Sequence, residues 1–438
     1  MAETATCQGG SGSRPYLQPM PYRHRVLTLL FLLSMVTYLD RVCIAVAGPE
    51  MQKDLGLTPS QWGWVVGIFA LSYAIFEIPS GALGDRIGPR RVLTRIVIWW
   101  SAFTSITGLV SNYYALLAAR FAFGMGEAGA FPNASSSISR WFPLAERARA
   151  HGTVWMASRI GGALTPLLVV PIVAAYGWRM AFYLFGIIGV VWAAAWYWWY
   201  RDYPTEMAGV TPEELAHIGE GSARAAHSAL PWAQVVKSPN FWAILLMYHA
   251  YCWGSYFYVS WMPTYLRLGR GFTADEMKIY AMLPFIAGAV GNLTGGALSD
   301  LLVRRVGLRI GRRTVAARGL AASALCLFGT AVVDNRLVAV GLLTLGYFSM
   351  DCMLPVSWAV CVDVGRRHAG AVTGAMNTAG QLGSFLSSVA FGALVDAFGG
   401  RYDVPLVLFS ACLLASALIF LRIDASRPLI ADTDALPT

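Results

Sequence analysis

The chain has 438 residues, of which 56% are hydrophobic and only 13% are charged. Soluble domains carry about 25% charged residues, so this composition excludes an ordinary soluble protein and predicts an integral membrane protein. The net charge of +9 is spread over short loops, which argues against nucleic acid as a partner, and the seven cysteines follow no metal or disulfide spacing.

Apolar stretches long enough to cross a bilayer, about 20 residues each, recur along the whole chain. Twelve are predicted, near 26–47, 62–83, 92–111, 113–138, 150–174, 179–200, 239–265, 277–299, 314–333, 337–362, 368–395 and 404–422. They predict an all-α membrane fold with two six-helix bundles, at 26–200 and 239–422, joined by a central loop at 201–238. An N-terminal tail at 1–25 and a C-terminal tail at 423–438 complete the chain.

The positive residues predict the orientation in the membrane. If the N-terminus is placed in the cytoplasm, 23 of the 33 lysines and arginines fall on the cytoplasmic side, seven on the other side and three inside spans. Because cytoplasmic loops carry the excess of positive charge, both termini are predicted to be cytoplasmic.

Spans 1 and 4 carry charges inside the membrane. Asp40 and Arg41 adjoin in span 1, while Arg120 and Glu127 lie seven residues apart, on one face of span 4. Counting the helix rise from the predicted span ends puts Asp40 and Arg120 at one depth, where pairing reduces the cost of burial. One interpretation is a static ion pair that locks helices together. The other is that Arg41 and Arg120 attract an anion while Asp40 and Glu127 exchange protons.

Three more residues near these charges are candidates for substrate contact. Tyr38, in span 1, either contacts the substrate or faces another direction, and the sequence favours neither interpretation. Tyr73, halfway through span 2, either donates its hydroxyl to a ligand or is an ordinary buried tyrosine. Arg159, in span 5, either binds a second anionic group or pairs with a carboxylate such as Glu77 or Asp351.

The second half contributes polar residues of its own. Span 7 reads "YHAYCWGSYFYVSWMPTYL" at 248–266, and its aromatic residues with His249 suit a cavity wall as well as a packed core. In span 11, Asn377 and Gln381 share a face, which fits either hydroxyl groups of a ligand or hydrogen bonds between helices.

An internal repeat divides the chain. "GALGD" at 81–85 ends the second span, and "GALSD" at 296–300 ends the eighth. Duplicated halves with a site between them are typical of transporters. No phosphate-binding loop, metal-ligand cluster or nucleophile–base pattern is present in the sequence, so neither an enzyme, nor a metal, nor any cofactor beyond coupling protons is expected.

The first half of this repeat carries a family resemblance. "GALGDRIGPRRVL" (81–93) resembles the loop 2–3 motif of the major facilitator superfamily, and Gly81, Asp85, Arg86 and Arg91 match it. Pro89 stands where the family normally has arginine or lysine. The resemblance implies that this segment gates the cytoplasmic mouth, with Asp300 in the second copy.

Six further motifs are similar to the anion:cation symporter family, which includes bacterial galactonate, hexuronate and glucarate transporters and animal sialin-type carriers. They are "YLDRV" (38–42), "RFAFGMGEAGAFPN" (120–133), "RWFPLAERARA" (140–150), "GWRMAFYLFG" (177–186), "YRDYPTE" (200–206) and "SWMPTYL" (260–266).

This resemblance implies roles for residues already singled out. Asp40 and Glu127 match proton-binding carboxylates, and Arg120 matches an arginine that engages Asp40 or substrate in turn. The sugar-acid site is implied at Arg41, Tyr73, Trp358 and Asn377. Vesicular members carry an arginine in span 7, whereas this chain has tyrosines and His249, which disfavours glutamate-type substrates.

The expected function is therefore proton-coupled import of a small organic anion, above all a sugar acid such as a hexuronate, aldonate or aldarate. The lipid bilayer, a monomeric state and a bacterial inner membrane are expected with it. Aromatic or short-chain carboxylates are alternative substrates. An exporter or antiporter of the same fold and a sensor that binds an anion without moving it are alternative functions, although three intramembrane arginines would repel cationic drugs.

Overall fold

A computed structural model describes residues 20–219, 232–366 and 369–429. These three ranges are mainly α-helical and contain no β-strand. The helices are α1 (Tyr22–Leu55), α2 (Pro59–Ile87), α3 (Pro89–Thr107), α4 (Tyr113–Glu127), α5 (Ala130–Trp141), α6 (Leu144–Tyr176), α7 (Trp178–Trp199), α8 (Pro212–Ile218), α9 (Trp232–Val235), α10 (Pro239–Ser260), α11 (Met262–Thr264), α12 (Ala274–Tyr280), α13 (Met282–Val306), α14 (Leu308–Val332), α15 (Arg336–Asp351), α16 (Leu354–Gly365), α17 (Ala369–Ala397) and α18 (Val404–Phe420).

Each of the twelve predicted spans corresponds to one of these helices or to a broken pair. In the described part of the chain, eight crossings are long and apolar enough to span a bilayer by length and composition alone. The remaining four are the 19-residue α3, the pair α4 and α5, α10, and the 17-residue α18. The fold is thus an all-α membrane bundle, with α1–α7 in the first half and α10–α18 in the second.

The first span is longer than predicted. Helix α1 continues through Pro49 and ends only at Gly56, whose φ of 62° lies in the left-handed region that suits glycine at a helix C-terminus. The sequence predicted an end near residue 47, where the apolar stretch ends. The extra two turns place the span 1 charges deeper than the sequence indicated.

The fourth span of each half is interrupted. Helix α4 ends at Glu127, and α5 begins at Ala130 after Gly129, whose φ is 90°. In the second half, α15 ends at Asp351 and α16 begins at Leu354. An acidic residue therefore stands at each break.

The two ends of the bundle need names. We call the end that contains the start of α1 and the end of α18 the terminus side, and the opposite end the far side. On the far side the halves are closed: the Asp396 carboxylate accepts a 2.8 Å hydrogen bond from the Ser60 backbone N–H, and Arg267 lies 3.8 Å from Glu50. Helices α2 and α17 stay in contact from Ser60–Asp396 to Glu77–Asn377.

Candidate functional site

A buried ion pair lies at the centre of the first half. The Arg41 Nε lies 2.5 Å from the Glu127 Oε1, and Glu127 is fully buried. Four aromatic rings surround the guanidinium, with centroids 4.9–5.8 Å from its carbon: Tyr38, Phe69, Tyr73 and Phe131. The faces of the rings stabilise the cation and limit its contact with water. We call these four rings the aromatic box.

The sequence predicted a different partner for this region, and that prediction is wrong. Asp40 and Arg120 are not within 4.0 Å of each other, whereas Arg41 reaches Glu127. Helix α1 runs to Leu55, eight residues beyond the predicted end, and Asp40 interacts electrostatically with both Arg120 and Glu127 without an ion-pair contact to Arg120.

Asp40 and Arg120 are buried close to this pair, with 2% and 3% of their surfaces exposed. Neither carboxylate oxygen of Asp40 has a hydrogen-bond partner among the described residues, and the same is true of the Arg120 Nε. The Arg120 guanidinium lies over the ring of Phe123 at 4.4 Å. Buried charged groups without partners are costly, so this arrangement is suited to groups that change partner or protonation state.

A second ion pair joins the two halves. Arg159 of α6 binds Asp351 of α15 through two contacts, Nε–Oδ2 at 2.8 Å and Nη2–Oδ1 at 3.0 Å, and its Nη1 donates to the Tyr347 hydroxyl at 3.0 Å. The sequence left Glu77 and Asp351 open as partners, and the structure selects Asp351.

Glu77 has another partner. The Asn377 Nδ2 donates to both Glu77 oxygens, at 2.7 and 2.8 Å, and so links α2 to α17. In the structure Asn377 therefore makes an interhelical hydrogen bond. Gln381, one turn further along α17, is half-buried.

His249 also contacts α17. Its Nδ1 lies 2.9 Å from the Ala379 carbonyl, and its Nε2 lies 3.3 Å from the Trp253 Nε1. With both ring nitrogens engaged, Nδ1 carries the proton and donates while Nε2 accepts. In this state the His249 side chain is therefore held by two hydrogen bonds and links α10 to α17.

An aromatic stack crosses the interface on the terminus side of these pairs. Trp358 meets Trp155 edge-on, with ring centroids 5.3 Å apart, and Trp155 stacks on Phe131 at 4.7 Å. Because Phe131 also faces Arg41, the stack connects Trp358 of the second half to the first ion pair.

The motif segments lie on the terminus side. In the second half, Arg312 bridges Asp300 at 2.9 Å and Asp363 at 3.2 Å. In the first half Arg86 and Arg91 are exposed, and the Asp85 side chain lies outside the described residues. Gly81 packs against Pro132, which brings α2 against α5.

The turn after the first motif requires glycine. Gly88 has a φ of 89°, and a Cβ there would collide with the Asp202 carboxylate, which accepts a 2.9 Å hydrogen bond from the Arg90 N–H. Asp202, which follows the sixth span, thus fixes the conformation of the predicted gate segment through this hydrogen bond.

Sequence reasoning missed several site residues. Trp155, Tyr347, Arg312 and Asp363 were not singled out, and Glu77 entered only as one possible partner of Arg159. A charged residue inside a span was an available signal for Glu77; for Trp155 and Tyr347, one aromatic among many in a membrane protein carries none. No group of three or more His, Cys, Asp or Glu residues suited to a metal ion occurs in the described ranges.

Two pseudo-symmetric helical halves, with buried arginine–carboxylate pairs inside one half and between the two, define a membrane transporter. The family model described as Major Facilitator Superfamily matches residues 30–388, so the chain belongs to that superfamily.

Known proteins similar to this chain are also transporters. The "Probable sulfoacetate transporter SauU" of Cupriavidus necator is 36% identical over 93% of this chain and 95% of its own. The "Hexuronate transporter" of Bacillus subtilis is 30% identical over 85% of this chain and 88% of its own. A bacterial homologue of the human lysosomal transporter Spinster, solved in an inward-facing and occupied conformation, superposes with a TM-score of 0.74 at 21% identity, over 92% of this chain and 97% of that one, and supports the fold.

Proposed function

We propose that this transporter imports a small organic anion together with protons, and that the anion is a sugar acid such as a hexuronate, aldonate or aldarate. The observation that carries the proposal is the Arg41–Glu127 pair, buried in an aromatic box. An arginine is a strong ligand for a carboxylate, and Glu127 occupies it in the absence of substrate. The relatives named for hexuronate and sulfoacetate, both organic anions, support the substrate class.

The proposed cycle starts with a proton on Glu127. The neutral acid releases Arg41, which then binds the carboxylate of the substrate, while Tyr73 and Asn377 contact its hydroxyl groups. Asp40 is the proposed second proton site, because it is a buried carboxylate near Glu127 whose oxygens have no hydrogen-bond partner among the described residues. The halves rock, the protons and the anion leave, and Glu127 binds Arg41 again.

The orientation follows from the charges. We place the terminus side, which carries most of the lysines and arginines, in the cytoplasm of a bacterium, with the far side outside the inner membrane. We propose a monomer as the working unit.

Short-chain carboxylates are the second candidate substrate class. The sulfoacetate transporter named above has the higher identity of the two relatives, and its named compound has only two carbons. Aromatic acids are supported only by the tyrosines of α10, of which Tyr248 and Tyr251 pack against each other at 5.2 Å. An antiporter of the same fold would use the same acidic side chains to move protons in the direction opposite to the substrate.

The test is Glu127→Gln in proteoliposomes. The substrate is first chosen as the anion that most raises the melting temperature in a panel of sugar, short-chain and aromatic acids. We expect the variant to lose at least about 90% of proton-driven accumulation yet retain exchange of labelled for unlabelled substrate, because binding and rocking persist without the proton site. Glu213→Gln, an exposed residue, is the control. Normal accumulation by Glu127→Gln would show that Glu127 does not couple protons to transport.

A further inference from the structure

The Arg159–Asp351 pair has no role in the cycle described so far. Both side chains are buried, with Asp351 at 0% and Arg159 at 5% exposure. The Arg159 Nη2 donates a hydrogen bond to the Asp351 Oδ1 at 3.0 Å, and the Arg159 Nε lies 2.8 Å from the Asp351 Oδ2, so the guanidinium faces a carboxylate as it would face an external carboxylate or sulfonate. The pair thus has the chemistry of an anion site that an internal carboxylate already fills.

Asp351 occupies the place in the second half that Glu127 occupies in the first. Each is the last residue of the helix that precedes the break in the fourth span of its half. A proline follows within five residues in both cases, at Pro132 and Pro355. Two acids in corresponding positions, each bound to a buried arginine, indicate two sites of the same kind.

Tyr38 connects the two pairs. Its ring lies 5.5 Å from the Arg41 guanidinium, and its hydroxyl lies in the neighbourhood of Arg159. Gly161 packs on the Met35 carbonyl, so these residues mark one level on α1 and α6.

The separation of the two arginines follows from that level. Helices α1 and α6 both begin on the terminus side and run in the same direction. From the helix rise, Arg41 lies about 9 Å to the far side of the shared level and Arg159 about 3 Å to its terminus side. The two long side chains therefore approach the tyrosine from opposite directions along the bilayer normal.

Polar atoms near this position lack partners. The Arg41 Nη2, the Glu127 Oε2 and the Trp358 Nε1 are all buried without a hydrogen bond among the described residues. The Arg41 Nη2 and the Trp358 Nε1 are donors, which a ligand with acceptor oxygens would satisfy, whereas the Glu127 Oε2 is an acceptor, which a ligand hydroxyl would satisfy.

We propose that Arg159 and Asp351 form a second anion subsite and that the transported substrate is a short dianion, with one carboxylate or sulfonate on Arg41 and the other on Arg159. This inference rests on the proposed function of the Arg41 site. Each anionic group takes the place of one internal carboxylate, which accepts a proton from the far side and releases it on the terminus side. A dianion therefore moves with one more proton than a monoanion, and the charge of the added anionic group is cancelled by the added proton. Among sugar acids this selects aldarates, and among short acids it selects sulfonated or dicarboxylic ones.

The test compares matched anions on the purified full-length protein by calorimetry. Glucarate is paired with gluconate, and sulfoacetate with acetate. We expect at least one dianion to bind tenfold or more tightly than its matched monoanion. In Arg159→Gln the affinity for the dianion should fall to that for the monoanion, while monoanion binding stays unchanged; Arg41→Gln should weaken both.

Proton counting gives a second readout. The wild type should take up one more proton per dianion than per monoanion, and this difference should vanish in Asp351→Asn. If Arg159→Gln does not fold, the neutral double variant Arg159→Gln/Asp351→Asn removes both buried charges together and should show the same loss of preference.

The outcomes separate the two proposals. Equal binding of mono- and dianions by the wild type, or a preference that survives in the Arg159 variants, would overturn the second subsite and leave the Arg41 site standing. Absence of binding by every anion would overturn both.

Discussion

At the scale of single residues, several buried charged groups are held by a side chain of another helix. Glu77 illustrates this: both of its oxygens accept hydrogen bonds from the one amide nitrogen of Asn377, and the contact joins the two halves. Removing a partner from such a buried group leaves a desolvated charge, so the effect of substitution depends more on what faces the residue than on its own chemistry.

Asn377→Asp should therefore destabilise the protein strongly. It would place two carboxylates face to face between α2 and α17, at a cost of about 2–3 kcal/mol from lost hydrogen bonds and repulsion. The melting temperature should fall by several degrees, and the exchange of partners, Glu77→Asn with Asn377→Glu, should recover at least half of that loss. Gln381→Glu is the control for adding a carboxylate to α17. An equal fall in Asn377→Asp and Gln381→Glu would mean that Glu77 is not the cause.

The residues of the site could be selected from the sequence, whereas their pairing could not. Arg41, Arg120 and Glu127 stand out because charge inside a span is rare. Helix α1 continues through Pro49 beyond the predicted end near residue 47, because proline is tolerated inside membrane helices when neighbours satisfy the freed groups. A shift of two turns changes which charges share a depth.

At the scale of elements, the terminus side is fixed by contacts between helix starts. Glu214 of α8 accepts hydrogen bonds from the Tyr22 and Arg23 backbone N–H groups, at 3.1 and 3.0 Å, and so caps α1. Glu146, in the first turn of α6, lies 3.3 Å from Arg23 and 3.0 Å from the His217 ring. Three elements distant in sequence thus meet at two carboxylates.

This cluster predicts a dependence of stability on pH. The hydrogen bond with His217 and the charge of Arg23 hold the pKa of Glu146 below its ordinary value of 4.5. Because the pKa is lowered by folding, the stabilisation is present above about 4.5 and is lost as the pH falls through the lowered value. We expect Glu146→Gln to lower the melting temperature by roughly 1–3 °C at pH 7, a modest effect because the group is partly exposed, and by less at pH 4.

Glu206→Gln, at an exposed position nearby, is the control for this measurement. A difference between wild type and Glu146→Gln that stays the same at both pH values would contradict an ionic origin.

The membrane-spanning helices were predictable from the sequence, whereas the breaks within them were not. Long apolar runs identified all twelve crossings, because a bilayer requires a minimum length. The breaks at 128–129 and 352–353 were not predicted, since small residues are common throughout membrane helices and only the conformation of Gly129 separates a break from close packing.

At the scale of the whole molecule, closure of the far side depends on a few contacts between the halves. Asp396, near the end of α17, caps the N-terminus of α2, where the helix dipole favours a negative charge. In the proposed import cycle these contacts break at every turnover, so they would set the balance between the two open states.

Asp396→Asn should shift that balance toward opening of the far side. The amide keeps the size of the side chain but loses the charge and weakens the cap by about 1 kcal/mol, enough to change the population ratio several-fold. Spin labels at Lys53→Cys and Arg401→Cys, in a background without the seven native cysteines, would report the distance between the halves. The variant should show a larger population at long distance, and an unchanged distribution would rule out a gating role for Asp396. Asp334→Asn, in the far-side loop between α14 and α15, is the matched control.

The duplicated breaks have a mechanical consequence. Glu127 and Asp351 stand at corresponding positions of the two halves, yet both of their arginines come from the first half, so one pair lies inside a half and the other joins the two halves. Releasing the first rearranges a half internally, whereas releasing the second removes a strut between moving parts. Breaking the two ion pairs therefore has different structural effects, although the chemistry is similar. This difference allows the two pairs to break in a fixed order, which two identical halves would not provide.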